Sequence, residues 1–151
     1  MEPVDLLEFL RNFAEESRLA HARDGMEIFM EGSCPAVIRG NRMLLERILS
    51  NLMTNSIKYR TGSRGKVCIR LSALKGKAVI SFSDDGPGVP ESSVSRLFEL
   101  FYRTDAARSH PQNGSGLGLT IAARAMALMG GSARAENRIP HGLKIELIFP
   151  L

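Results

Sequence analysis

The chain has little of what marks several large classes of protein. It has two cysteines, Cys34 and Cys68, which form no Cys-x-x-Cys and stand at no metal-ligand spacing. Two isolated thiols argue against a disulfide scaffold and suit a reducing compartment. No apolar run approaches the ~18 residues of a membrane span. No signal-peptide pattern opens the chain; Met1 stands only a few residues before a helix, so the chain is expected to be open to being a piece of something larger. The surplus of positive charge is small, a net +4, and Lys and Arg form no run. Nucleic-acid binders concentrate charge on a stripe, so the expectation is a mildly basic, solvated surface and no nucleic-acid partner. Internal repeats and low-complexity tracts are also missing.

What is present is ordinary for a soluble globular protein: 44% apolar and 24% charged residues. A chain of 151 residues suits one domain, taken as 1–151, and can bury about 68–70% of its unfolded surface.

Asp5 with Glu8 three residues on resembles a capping box, and Leu6, Leu10, Phe13 and Ser17 repeat at helical spacing, so a helix is expected over about 5–22. Gly25 ends it. Met26–Met30 and Ala36–Ile38 are short strand candidates. Asn41 is placed to cap the strongest helix, 42–59, with Leu45, Ile48, Leu49 and Leu52 as its buried stripe. Val67–Ala73 and Ala78–Ser83 read as a hairpin through Lys75-Gly76. A glycine turn, a short helix to about Leu100, a polar loop and a helix over Leu117–Met129 follow. Two strands, Ser132–Glu136 and Leu143–Phe149, close the chain. This order predicts an α+β two-layer sandwich, one mixed sheet of about five strands with about three helices on one face.

The stretch from Asp84 to Leu119 carries the strongest chemical signal. A strand ends on a carboxylate, Asp84, and Gly86 and Gly88 turn the chain. From Arg103 to Ser115 there is no Val, Leu, Ile, Met, Phe, Tyr or Trp, so this loop cannot bury enough surface to offset its ordering entropy. Gly114, Gly116 and Gly118 then open an apolar helix, whose N-terminus suits an anion. The glycines are not a P-loop, because no Lys-Ser/Thr follows, and not a Rossmann fingerprint, because no strand precedes them. On the helix 42–59, Asn51, Asn55 and Lys58 fall within roughly 60° of arc at about 100° per residue. An amide oxygen is a hard ligand for Mg²⁺, and an ammonium suits phosphate.

Together and in this order these pieces resemble a known family. Asn51-Leu-Met-Thr-Asn55-Ser-Ile-Lys58-Tyr59 resembles the N-box of sensor histidine kinases, and Asp84-Asp-Gly-Pro-Gly-Val-Pro their first glycine box. Arg96-Leu-Phe-Glu-Leu-Phe-Tyr-Arg103 resembles the phenylalanine box, and Gly114-Ser-Gly-Leu-Gly-Leu-Thr-Ile the second glycine box. The resemblance covers nearly the whole chain. It implies the catalytic, ATP-binding domain of a histidine kinase, in the GHKL superfamily with its Bergerat fold.

The resemblance also implies roles. Asp84 accepts from the adenine amine, Asn55 holds Mg²⁺ with Asn51 beside the phosphates, Lys58 pairs with phosphate oxygens, and Tyr59 lines the sugar or base. Gly86 and Gly88 let the chain turn close to ATP. Gly114, Ser115, Gly116, Leu117 and Gly118 close over the phosphates. Phe98 and Phe101 anchor a nucleotide-gated lid spanning about 102–115, and Arg103 contacts phosphate or the partner helix. The catalytic set is Asn51, Asn55 and Lys58. The partners implied are the parent's own dimerisation and phosphoacceptor domain and a response regulator. The location implied is cytoplasmic, with the parent open to membrane attachment. His21, His110 and His141 lack the acidic neighbour of the family's acceptor box, so the phosphorylated histidine is expected outside this chain. Gly142 is followed by Leu143 and Lys144 where many relatives carry a hydroxyl residue, and Asn41 stands where Asp is common. Two alternatives remain open at this point: a GHKL-type ATPase, disfavoured by an amide at Asn51 where those hydrolases have Glu, and a non-catalytic nucleotide-binding module.

Overall fold

The structure is a computed structural model that describes residues 1–94, 96–98 and 117–151. In chain order the elements are β1 (Glu2–Asp5), α1 (Leu6–Ala20), β2 (Met26–Glu31), β3 (Val37–Gly40), α2 (Arg42–Lys58), β4 (Gly65–Leu74), β5 (Lys77–Asp84), α3 (Glu91–Val94), α4 (Leu117–Leu128), β6 (Ser132–Asn137) and β7 (Leu143–Pro150). Five strands form one sheet in the order β2-β4-β5-β7-β6, with β2 parallel to β4 and the other pairs antiparallel. The sheet is mixed, as the sequence predicts, and α1, α2 and α4 pack on it.

Local chemistry sets the ends of these elements. The carboxylate of Asp5 accepts from the N–H groups of Leu7 (3.0 Å) and Glu8 (3.2 Å), and the Asn41 side chain accepts from Leu44 N–H at 3.0 Å. Both caps satisfy donors that the first turn of a helix leaves free. Lys75 and Gly76 take φ of +54° and +76°, the pair of left-handed conformations that a two-residue hairpin with native twist requires.

One expectation changes. Ala36–Ile38 is not part of the main sheet: β3 pairs antiparallel with β1 in a separate two-stranded sheet, Val4 opposite Ile38. The strand β1 was not visible in the sequence. Its apolar content is one buried residue, Val4, and its partner lies across the whole of α1. Of the helix expected up to about Leu100, Glu91–Val94 form α3 and residues 96–98 a turn; Ser95, Glu99 and Leu100 lie outside the described residues.

Alternation along the strands places Val67, Ile69, Leu71, Ala78, Ile80, Phe82, Ile145, Leu147 and Phe149 on the inner face, all buried. Leu6, Leu10, Phe13, Leu45, Ile48, Leu49 and Met126 fill the helical side of the same core. Truncating a fully buried residue such as Leu49 to Ala costs about 2–5 kcal/mol. The outer face is polar. Arg70 pairs with Glu31 (2.7 Å) and Arg134 with Glu146 (2.8 Å). These pairs lie at the surface, where such contacts contribute at most about 1 kcal/mol. The buried face of the sheet and the ends of β5 and β7 thus form the floor under α2 and α4, and the site lies there.

Candidate nucleotide-binding site

Asp84 is the last residue of β5, opposite Val67 of β4. Its Oδ1 accepts from Gly86 N–H at 3.0 Å and from Leu143 N–H at 3.2 Å, and its Oδ2 accepts from the Ser56 hydroxyl at 2.9 Å. The three donors come from the turn after β5, the start of β7 and the buried face of α2. A carboxylate has about four lone-pair sites. Three are taken within the protein, so Oδ2 keeps one for a donor in the adjoining space.

That space is a cavity of about 250 Å³. Its walls are Leu52, Asn55, Ser56 and Tyr59 from α2, Phe82 and Asp84 from β5, Pro87, Gly88, Val89 and Pro90 from the turn, and Leu97, Leu119, Leu143 and Ile145. The lining is mostly apolar, with few polar groups to orient a ligand, as in small-molecule sites generally. The volume lies below the roughly 300–1,000 Å³ of pockets that enclose a drug-sized ligand, so it suits a ring system. An apolar slot with one fixed acceptor matches an aromatic ring that carries an amine. Leu119 lies in the first turn of α4, so the positive end of that helix borders the cavity.

The structure brings Asn55, Tyr59, Asp84 and Gly88 together in one lining, with Gly86 buried beside Asp84. Asn55 is half-buried, and Tyr59 caps α2 by donating its N–H to the Asn55 carbonyl at 3.0 Å. Lys58 is exposed and does not line the cavity. Asn51, one turn before Asn55, borders a separate open groove with Arg42 and Arg47. Phe98 packs against the core. Leu117 and Gly118 begin α4. Phe101, Arg103, Gly114, Ser115 and Gly116, and with them the expected lid, lie outside the described residues. Among the described residues no three His, Cys, Asp or Glu side chains cluster to hold a metal. Asn55 offers an amide oxygen in the lining, a hard donor of the kind Mg²⁺ takes.

Sequence reasoning missed several contributors. Ser56 lies on the buried stripe of α2, and a buried hydroxyl needs a partner; that rule is a signal that could have found it. Leu143 offers its backbone N–H to Asp84. His141, noted in the sequence only as lacking an acidic neighbour, donates through Nδ1 to the Gly86 carbonyl at 3.1 Å. Gly142 has φ +118°, and a Cβ there would lie 2.2 Å from the Asp84 carbonyl oxygen.

Residues 40–151 match the family model for histidine kinase-, DNA gyrase B- and HSP90-like ATPases. The sensor protein CutS of Streptomyces coelicolor is 33% identical over 150 residues, which are 99% of this chain and 36% of that protein. The mycobacterial sensor histidine kinase MprB superposes with a TM-score of 0.80 at 30% identity, over 99% of this chain and 97% of that one. Full-length ShkA in complex with AMPPNP superposes with a TM-score of 0.75 at 29% identity, over 98% of this chain and 30% of that one. The chain belongs to the histidine kinase-, DNA gyrase B- and HSP90-like ATPase family. Within it, the chain is a catalytic, ATP-binding domain of the sensor histidine kinase kind. It spans about a third of the length of the curated relatives it matches. Among the described residues no helix is long and apolar enough to cross a membrane.

Proposed function

We propose that the chain is one domain of a longer two-component sensor kinase. In it the chain binds ATP with Mg²⁺ and transfers the γ-phosphoryl group to a histidine on the parent's adjoining dimerisation domain. The parent then passes the group to a response regulator. The observation that carries this reading is Asp84, held by three donors at the edge of an apolar cavity with one acceptor site free. The AMPPNP complex of ShkA supports a nucleotide with a triphosphate-like chain as the ligand.

In this reading Asp84 accepts from the exocyclic amine of adenine, and Phe82, Val89 and Ile145 cover the faces of the ring. Tyr59 borders the base or the sugar. Asn55 offers its amide oxygen to Mg²⁺, and Asn51 and Lys58 lie along α2 on the phosphate side. The Asn55 amide oxygen would hold Mg²⁺ together with oxygens of the nucleotide, and the ion would supply neutralisation of phosphate charge. Phosphoryl transfer needs mainly positioning and charge neutralisation, and the chain supplies both through α2 and the positive end of α4. Phe98, Phe101, Arg103, Gly114, Ser115, Gly116, Leu117 and Gly118 complete the phosphate side in this assignment.

Hydrolysis is the less supported chemistry. Asp84 is the one carboxylate in the lining among the described residues, and three donors already engage it. Asn51 and Asn55 are amides and cannot take a proton from water. The location that fits ATP and free thiols is the cytoplasm, with the parent open to membrane attachment. The test is to mix the chain with ATP and the parent's dimerisation domain. Acid-labile phosphate on that domain supports the reading, and release of free phosphate without it favours an ATPase.

A further inference from the structure

One wall of the cavity, Pro87 to Pro90, belongs to no strand or helix. Its backbone groups must find partners outside any ladder. Both the N–H and the C=O of Val89 are taken by a single side chain, the carboxamide of Asn137 at the end of β6. Asn137 Oδ1 accepts from Val89 N–H at 3.0 Å, and Nδ2 donates to the Val89 carbonyl at 2.6 Å. Nδ2 also donates to Glu91 Oε1 at 3.0 Å. A carboxamide carries the donor and acceptor of a peptide group, so Asn137 acts as a missing strand.

The β6–β7 turn makes two further bonds to the residues that lead into this wall. Arg138 Nη1 donates to the Asp84 carbonyl at 2.7 Å, and His141 Nδ1 donates to the Gly86 carbonyl at 3.1 Å. Residues 84, 86 and 89 are therefore all held from the β6–β7 turn. Gly88 lies against the Asn137 amide: its φ is +73°, and a Cβ would stand 2.6 Å from Asn137 Oδ1. The glycine at 88 thus serves the approach of Asn137 as well as the turn.

We propose that Asn137 is a positioning residue for nucleotide binding, which holds the wall from Pro87 to Pro90 at the distance from Asp84 that admits an adenine ring. The proposal rests on the ATP-binding reading above. A wall already fixed in the free protein spares the ligand the entropy of ordering it. Asn137 touches no ligand in this account, so it acts on the base and sugar and leaves the metal alone.

The test uses the 151-residue chain with ATP, ADP and GTP as probes, with and without Mg²⁺, and amide hydrogen exchange. Asn137→Ala removes all three bonds. Asn137→Asp keeps the shape and the bond from Val89 N–H but loses both donors. Both variants are expected to raise the dissociation constants of ATP and ADP about tenfold, equally with and without Mg²⁺, and to narrow the preference for ATP over GTP. In Asn137→Ala, which alone frees the Val89 N–H, exchange should quicken at Val89 and stay unchanged at Ile80 in β5. Affinity within twofold of the unaltered chain in both variants overturns the proposal, as does unchanged exchange at Val89 in Asn137→Ala. Exchange that quickens as much at Ile80 as at Val89 makes Asn137 a global stabiliser and overturns it too. Failure of the unaltered chain to bind ATP is a separate result: it removes the ATP reading and the proposal resting on it.

Discussion

The Ser56 hydroxyl donates to Oδ2 of Asp84 at 2.9 Å and so ties the buried face of α2 to the end of β5. Asn55 is the next residue back on the same helix and lines the same cavity. One bond therefore sets the spacing between the carboxylate that would read the base and the amide that would hold the metal.

Ser56→Ala removes one of three donors to Asp84 and leaves the N–H groups of Gly86 and Leu143 in place. A hydrogen bond of this kind contributes about 0.5–1.5 kcal/mol net, and up to about 3 when one partner is charged. The expected result is a three- to tenfold loss of ADP affinity by this measure and a drop of about 1 kcal/mol in urea-unfolding stability. Calorimetry and equilibrium unfolding measure the two effects separately.

Asn55→Ala should separate the metal from the base. The apolar walls and Asp84 are untouched, so binding of adenosine survives. The enhancement of ATP affinity by Mg²⁺ should disappear if the amide oxygen removed is the metal ligand proposed above. Titration of ATP with and without Mg²⁺ checks it. A full enhancement in the variant removes Asn55 from the metal site.

Gly142→Ala is expected to destabilise the fold by about 2 kcal/mol or more, from an unfavourable φ and a collision with the Asp84 carbonyl. The urea midpoint should fall. Nucleotide affinity should fall as well, since Leu143, the next residue, donates to Asp84.

Much of this architecture is legible in the sequence, for physical reasons that also mark its limits. The helices α1 and α2 show because apolar side chains recur every turn and Asp5 and Asn41 announce their starts. The hairpin at Lys75-Gly76 shows because so few residue pairs adopt two left-handed conformations. Asp84 stands out because a carboxylate ends an apolar strand before two glycines. The pairing of β1 with β3, and the parallel pairing of β2 with β4, left no local mark, because each depends on a partner beyond an intervening helix. The roles of Ser56 and Asn137 are of the same kind. Their partners are 28 and 48 residues away, and neither residue type announces a tertiary bond.

The two thiols should differ in reactivity. Cys34 is exposed, whereas Cys68 is partly buried on β4, and burial first and then the nearby Glu31 push its thiol up from its ordinary value. A raised value leaves less thiolate at about pH 8, and the thiolate is the nucleophile. Timed alkylation with peptide mapping should label Cys34 first. Faster labelling of Cys68 would contradict the burial of β4 shown here.

The central claim is that Asp84 reads the base of a bound nucleotide, and Asp84→Asn tests it most directly. The N–H groups of Gly86 and Leu143 both point at Oδ1, so the amide oxygen of the variant would be held there. Its NH₂ would take the place of Oδ2 and meet the adenine amine donor to donor. An unmatched buried polar pair costs about 1–3 kcal/mol, roughly ten- to a hundredfold in affinity. Calorimetric titration of both proteins with ATP and with ADP should show that loss for both nucleotides, with the variant still folded. Equal affinities in the two proteins would contradict the account and remove Asp84 from the site.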